Sequence, residues 1–141
     1  MRKILKYAVC FGIGGTGYGI IELIYRRRTH WTMIIAGGVC FVLFSVIEKC
    51  ARESALLVKA VLCSGAVTAV ELIFGVVCNI ILKMNIWDYK DQKFNLLGQI
   101  CPKFSLIWGV LGIVFMPLAK LICERIDHQR GYIGSSHAAH C

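Results

Sequence analysis

The sequence predicts an all-α membrane protein: four transmembrane helices arranged as two parallel two-helix repeats, with an interfacial or re-entrant segment before the fourth helix. Three observations predict it. The chain is strongly apolar, its apolar runs have the length that crosses a bilayer, and small residues recur at fixed offsets before two intramembrane acids. Of 141 residues, 57% are hydrophobic and 17% charged, with only 2 prolines. Disorder is excluded by this apolar excess. A soluble body of such size could not hide it either.

The 16 Lys+Arg outweigh 8 Asp+Glu, for a net charge of +8. The cations sit mostly between apolar runs, as at Arg26, Arg27 and Arg28 or Lys83, Lys90 and Lys93. That is the pattern of loops held at anionic headgroups, not of a nucleic-acid face. The lipid bilayer is therefore the expected partner, and nucleic acid is not.

A four-helix transmembrane domain is expected over residues 1–122, with spans at about 4–25, 29–47, 57–82 and 96–119. Residues 123–141 then form a polar, flexible C-terminal tail. The first span is uncharged from Tyr7 to Ile21. Its basic MRK start resembles a signal peptide, but no A-x-A site follows, so the span is expected to stay. The same run spells G12-I-G-G-T-G17, a literal GxGxxG. A dinucleotide site needs a strand before it, so helix packing is the expected role of these glycines.

The second span carries His30 as its one ionisable group, and Trp31 beside it is an interfacial anchor by residue type. Lys59 and Glu71 interrupt the third, which is long enough to require tilt. Pro102 and Lys103 interrupt the fourth, which is clean from Phe104 onward. A small excess of Lys and Arg on the side holding both ends predicts cytoplasmic termini in a multi-pass cell-membrane protein.

The repeat emerges when the intramembrane acids are aligned. Gly15 and Gly19 precede Glu22 at the offsets by which Ser64 and Thr68 precede Glu71. His30 and Asn79 follow their acids at equal distance, and Gly37 to Cys40 matches Gly98 to Cys101. Small residues on the face of an acid let another helix approach closely. Both carboxylates are therefore expected inside the bundle, since a lipid-facing acid would be costly; for Glu22 the alternative is a place at the end of its span, reaching the headgroups and pairing with Arg26. Arg26, one turn after Glu22, and Lys103 in the fourth span are the available counter-charges. Glu71 has eleven uncharged residues on each side and is the stronger functional candidate.

Eight cysteines lie mostly within apolar runs and form no CxxC, which reads as buried thiols rather than a redox pair of that type. H137-x-x-H-C141 has zinc-ligand residue types, but it sits near an end rich in Ser and Ala, so no metal or other cofactor is expected.

Between the third and fourth spans runs N85-I-W-D-Y-K-D-Q-K-F-N-L-L-G-Q-I-C101. Trp87 and Tyr89 are interfacial anchors by type, whereas Asp88, Asn95 and Gln99 are not what an anchor requires. An amide-lined re-entrant segment and a plain interfacial helix both fit. The run W87-D-Y-K-D-Q-K-F-N-L-L-G-Q-I-C, preceded by A-V-E-L-I-F-G, resembles the short form of the type IV ABC-transporter permease family. So does G-Y-G-I-I-E-L-I-Y-R-R-R-T-H-W-T-M-I-I-A-G-G-V-C-F in the first half; together the likeness covers roughly residues 7–119. The resemblance implies a bacterial multispanning protein concerned with transport. Lys90 stands where family members commonly carry serine, and Pro102-Lys103 replaces their usual apolar residues.

The functional expectation is a permease subunit with an interior polar site of Glu22, His30, Glu71, Asn79, Asp88, Asn95 and Gln99. No Walker A motif occurs, so a separate ATP-binding subunit is the implied partner, with a second copy of the chain as the other way to enclose a path. The alternatives are a membrane-embedded enzyme or binding protein acting on a lipid or amphiphile, and a structural partner subunit. No nucleophile with its base is evident, and the reading leans away from an enzyme.

Overall fold

Arg2–Arg26 (α1), Trp31–Cys50 (α2), Leu56–Phe74 (α3) and Pro102–Ala138 (α4) are the helices of the computed structural model. It describes the backbone of residues 2–138 and the side chains of residues 4–126. Among the described residues, four helical stretches are long and apolar enough to cross a membrane: Ile4–Arg26, Trp31–Cys50, Leu56–Ile81 and Pro102–Ile126. Only 28 to 39% of each such stretch is buried within the protein. The exposed remainder is apolar: Leu106, Val110, Val114, Leu118 and Leu121 run down the outer face of α4 at helical spacing. Such a stripe suits lipid, where all backbone polar groups are satisfied inside the helix.

Short turns at residues 27–30 and 51–55 make consecutive helices antiparallel. Glycines set the α1–α2 contact. A Cβ on Gly15 would lie 2.6 Å from the Ile34 carbonyl oxygen, and one on Gly38 would lie 2.7 Å from the Phe11 ring. The third and fourth helices use hydroxyls instead: Ser64 Oγ donates to the Ser105 carbonyl (2.7 Å) and Thr68 Oγ1 to Ser105 Oγ (2.8 Å). The small residues before each Glu therefore face the other helix of their own hairpin, the close approach by which membrane helices associate. Gly12 and Gly17, by contrast, face open space.

The main core joins Cys10, Phe41, Phe44, Cys63, Val67 and Met116 across all four helices. A second cluster, Met33, Cys78, Ile86 and Trp87, lies toward the opposite end. There α3 passes into a π-helical stretch, Gly75–Ile81, whose wider turn is closed by the Leu82 amide on the Val77 carbonyl (2.9 Å). Residues 82–101 then form an irregular cap over this end, with a lone antiparallel bridge between Leu96 and Ile100.

The fourth helix begins at Pro102, not at residue 96. Proline fits the first helical position because its missing N–H has no partner there anyway. Before it the backbone turns sharply, with positive φ at Phe94 (57°), Leu97 (54°) and Gly98 (67°). Gly98 to Cys101 consequently lies in the cap, while its sequence match, Gly37 to Cys40, lies within α2. No helix occurs within residues 82–101, so the plain interfacial helix is replaced by irregular chain. The backbone of α4 stays helical through residues 123–138, where the sequence predicts a polar tail. His128, His137, His140 and Cys141, with the zinc question they raised, lie outside the residues whose side chains are described.

Candidate functional site

Glu22 and Glu71 are both buried, at 5% and 7% exposure, yet their surroundings differ. Glu22 is paired with a cation of its own helix, Arg26, whose Nη1 donates to Oε1 at 2.9 Å, and Thr29 Oγ1 from the following turn donates to Oε2 at 3.2 Å. The other guanidinium nitrogen of Arg26 donates to the Ile86 carbonyl at 2.9 Å, tying α1 to the cap. A shallow cleft of about 150 Å³ opens here between Glu22, Arg26, His30 and Asn85.

Glu71 has no basic partner among the described residues. Its Oε1 accepts a long hydrogen bond from the Tyr89 hydroxyl (3.5 Å), and its Oε2 is buried with no partner. The indole N–H of Trp108 faces this carboxyl group but closes no hydrogen bond of ordinary geometry, and it too is buried and unpaired. Tyr18, whose ring lies 5.8 Å from that of Trp108, is within Coulombic range of both Glu22 and Glu71. Tyr89 stacks on Phe104 at 4.5 Å. A bare carboxylate so placed costs several kcal/mol unless a proton or cation sits on it. Lys103 does not serve: it is exposed, with its ammonium 5.7 Å from the Phe104 ring.

The amides hold the cap rather than lining open space. Asn79 Nδ2 donates to the Trp87 carbonyl (2.9 Å) and to Gln99 Oε1 (2.8 Å), while its Oδ1 accepts from the Ile86 amide (2.7 Å). Gln99 Nε2 donates to the Leu97 carbonyl (3.0 Å). Gly75 makes room for Gln99, since a Cβ there would lie 2.6 Å from its Oε1. Asn95 closes the outer turn, donating to the Lys90 and Gln92 carbonyls and accepting from Gly98. Asp88 is exposed; the backbone amide of Lys90, and then its side chain, hold the Asp88 carboxyl below the usual range.

His30 caps α2, its ring accepting from the Thr32 amide at 3.4 Å. Trp31 is 60% exposed at the start of α2, as an interfacial anchor would be. Trp87 is buried instead, its indole N–H donating to the Gln99 carbonyl at 3.0 Å, and Tyr89 points inward to Glu71. The cap's irregular path turns both rings toward protein rather than lipid.

Of the residues singled out in the sequence, the fold thus joins Asn79 with Gln99 and with the backbone of Trp87, and Glu71 with Tyr89. His30, Asp88 and Asn95 serve local turns. Tyr18 and Trp108 were not among the expected site residues. Tyr18 stands one turn before Glu22 on the same helix face, a usable signal; nothing in the sequence distinguishes Trp108 from a lipid-facing tryptophan.

Residues 9–136 match the profile of a family described as "Putative ABC-transporter type IV". Neither a curated protein nor a solved structure matches the chain.

Proposed function

The chain belongs to the type IV ABC-transporter family, and from that premise we propose that it is a permease subunit whose interior site is centred on Glu71. The observation that carries this reading is the buried, unpartnered Oε2 of Glu71, set among Tyr18, Tyr89 and Trp108 in a four-helix membrane bundle. An intramembrane carboxylate without a counter-charge is expensive and marks a place where a cargo cation or a proton is held. Glu22 has a different role. Paired with Arg26, it fixes the cap that closes one end of the bundle.

In this reading the energy source is a separate ATP-binding subunit, the partner that the ABC-transporter family suggests. On the same reading it docks at the uncapped end, which carries Glu48, Lys59 and Lys120 and which is the cytoplasmic end if the termini lie there as the Lys/Arg excess predicts. Four spans enclose little, so a second membrane subunit or copy completes the path. Purification from native membrane in mild detergent tests this. A stoichiometric ATP-binding subunit in the preparation is the expected result; a lone chain retaining a defined lipid would favour a lipid-handling protein instead.

A further inference from the structure

The pair α1 and α4 shares the least contact of the helix pairs that touch, and residues of both meet at the uncapped end. A groove of about 390 Å³ opens there between α1, α2 and α4. Four cations line it, Lys6, Lys49, Arg52 and Lys120, against the carboxylates of Glu48 and Glu124. Cys123 is also part of its wall and is only half-buried. Behind it stands Cys10, fully buried, with the two sulfurs 3.3 Å apart although 113 residues separate them in sequence.

We propose that Cys123 and Cys10 are an attacking and a resolving thiol, oxidised to an α1–α4 disulfide by small anionic disulfides that enter the basic groove. The chemistry is ordinary exchange. The Cys123 thiolate attacks one sulfur of the disulfide RSSR, forming a mixed disulfide and releasing RS⁻. The Cys10 thiolate then attacks the Cys123 sulfur and expels the second RS⁻. The two protein thiol protons end on the two released thiolates, so the protein loses two hydrogens, RSSR is reduced, and two RSH leave.

Geometry and access both favour this order. A disulfide is about 2.04 Å long, so the sulfurs need to close by only roughly 1 Å. Cys123 meets the groove and Cys10 does not, so only one of them can meet an oxidant first. Positive lining attracts an anionic disulfide and raises its local concentration. The product ties together the two helices that share the least contact, which restrains this end of the bundle against opening.

The reduced protein in detergent is treated with oxidised glutathione, an anionic disulfide, or with cystamine, a cationic one, and peptides are mapped by mass spectrometry. The expected result is a Cys10–Cys123 cross-link that forms roughly tenfold faster with oxidised glutathione at low salt. C10S should trap a glutathione adduct on Cys123, and C123S should leave Cys10 unmodified. R52Q/K120Q should abolish the preference for the anionic reagent. Labelling of the exposed Cys50 alone in the wild-type protein, which needs no variant to fold, would overturn the pairing. Equal rates with the two reagents would overturn the role of the groove.

Discussion

The indole nitrogen of Trp108 stands against the Glu71 carboxyl group across the α3–α4 interface, yet neither it nor Glu71 Oε2, both buried, closes a hydrogen bond of ordinary geometry. Nearly every other buried polar side-chain atom described in the bundle has found a partner. Leaving a donor and an acceptor unpaired costs on the order of 1–3 kcal/mol each. Packing alone gives no reason to keep such a pair. The site proposed at Glu71 for a cation or a proton does.

Trp108→Phe removes the unpaired donor while keeping an aromatic ring. The bundle should be no less stable by thermal unfolding in detergent, since an orphan is lost rather than a bond. Activity of the assembled transporter should fall, because the indole N–H is a donor held against the Glu71 carboxyl group. A fall in stability with full activity would make Trp108 a packing residue only.

Arg26→Gln breaks the pair with Glu22 and the bond to the Ile86 carbonyl together. The guanidinium is partly exposed, which reduces the cost of breaking a fully buried pair to about 1–3 kcal/mol. Adding Glu22→Gln should restore part of it by removing the stranded carboxylate, and a double-mutant cycle reads the coupling. Additive losses would show that the pair is not an energetic unit.

Asn79→Leu removes three hydrogen bonds and strands the Gln99 amide oxygen and the Ile86 amide. The cap over residues 82–101 should loosen, at about 2–4 kcal/mol by the same reasoning. Proteolysis within this segment should accelerate while the four helices stay intact. Unchanged cleavage would show that the cap is held by Trp87 packing and the Arg26 bond alone.

Gly15→Leu forces a side chain against the Ile34 carbonyl of α2. Overpacking of this kind costs about 1–3 kcal/mol, seen as a lower unfolding temperature. Gly12→Leu, at a glycine that faces open space, is the matched control and should be nearly neutral.

Four apolar helices were legible because transmembrane length is a count of apolar residues. The burial of Glu71 was legible from Ser64 and Thr68 on its face, which meet Ser105 of α4. The cap was not. Its path depends on positive φ at Lys83, Phe94 and Leu97, residue types that give no warning of a left-handed backbone, as well as at Asn85, whose type does favour it. For that reason Asn95 and Gln99 read as the polar entry of a helix, and the pairing of Gln99 with Asn79 went unseen. Trp87 read as an interfacial anchor by residue type, yet the same path buries it. Pro102 did carry a signal for the start of α4, since proline marks a first helical position more often than an interior one.

The most direct test is Glu71→Gln in the native assembly, scored by restoration of the phenotype of a strain lacking the gene. The substitution keeps size and polarity and removes only the capacity for negative charge. The variant should reach the membrane, assemble and unfold at or above the wild-type temperature, yet fail to restore function. Full restoration by a folded Glu71→Gln protein would contradict a working carboxylate and reduce Glu71 to a polar residue in the packing of α3.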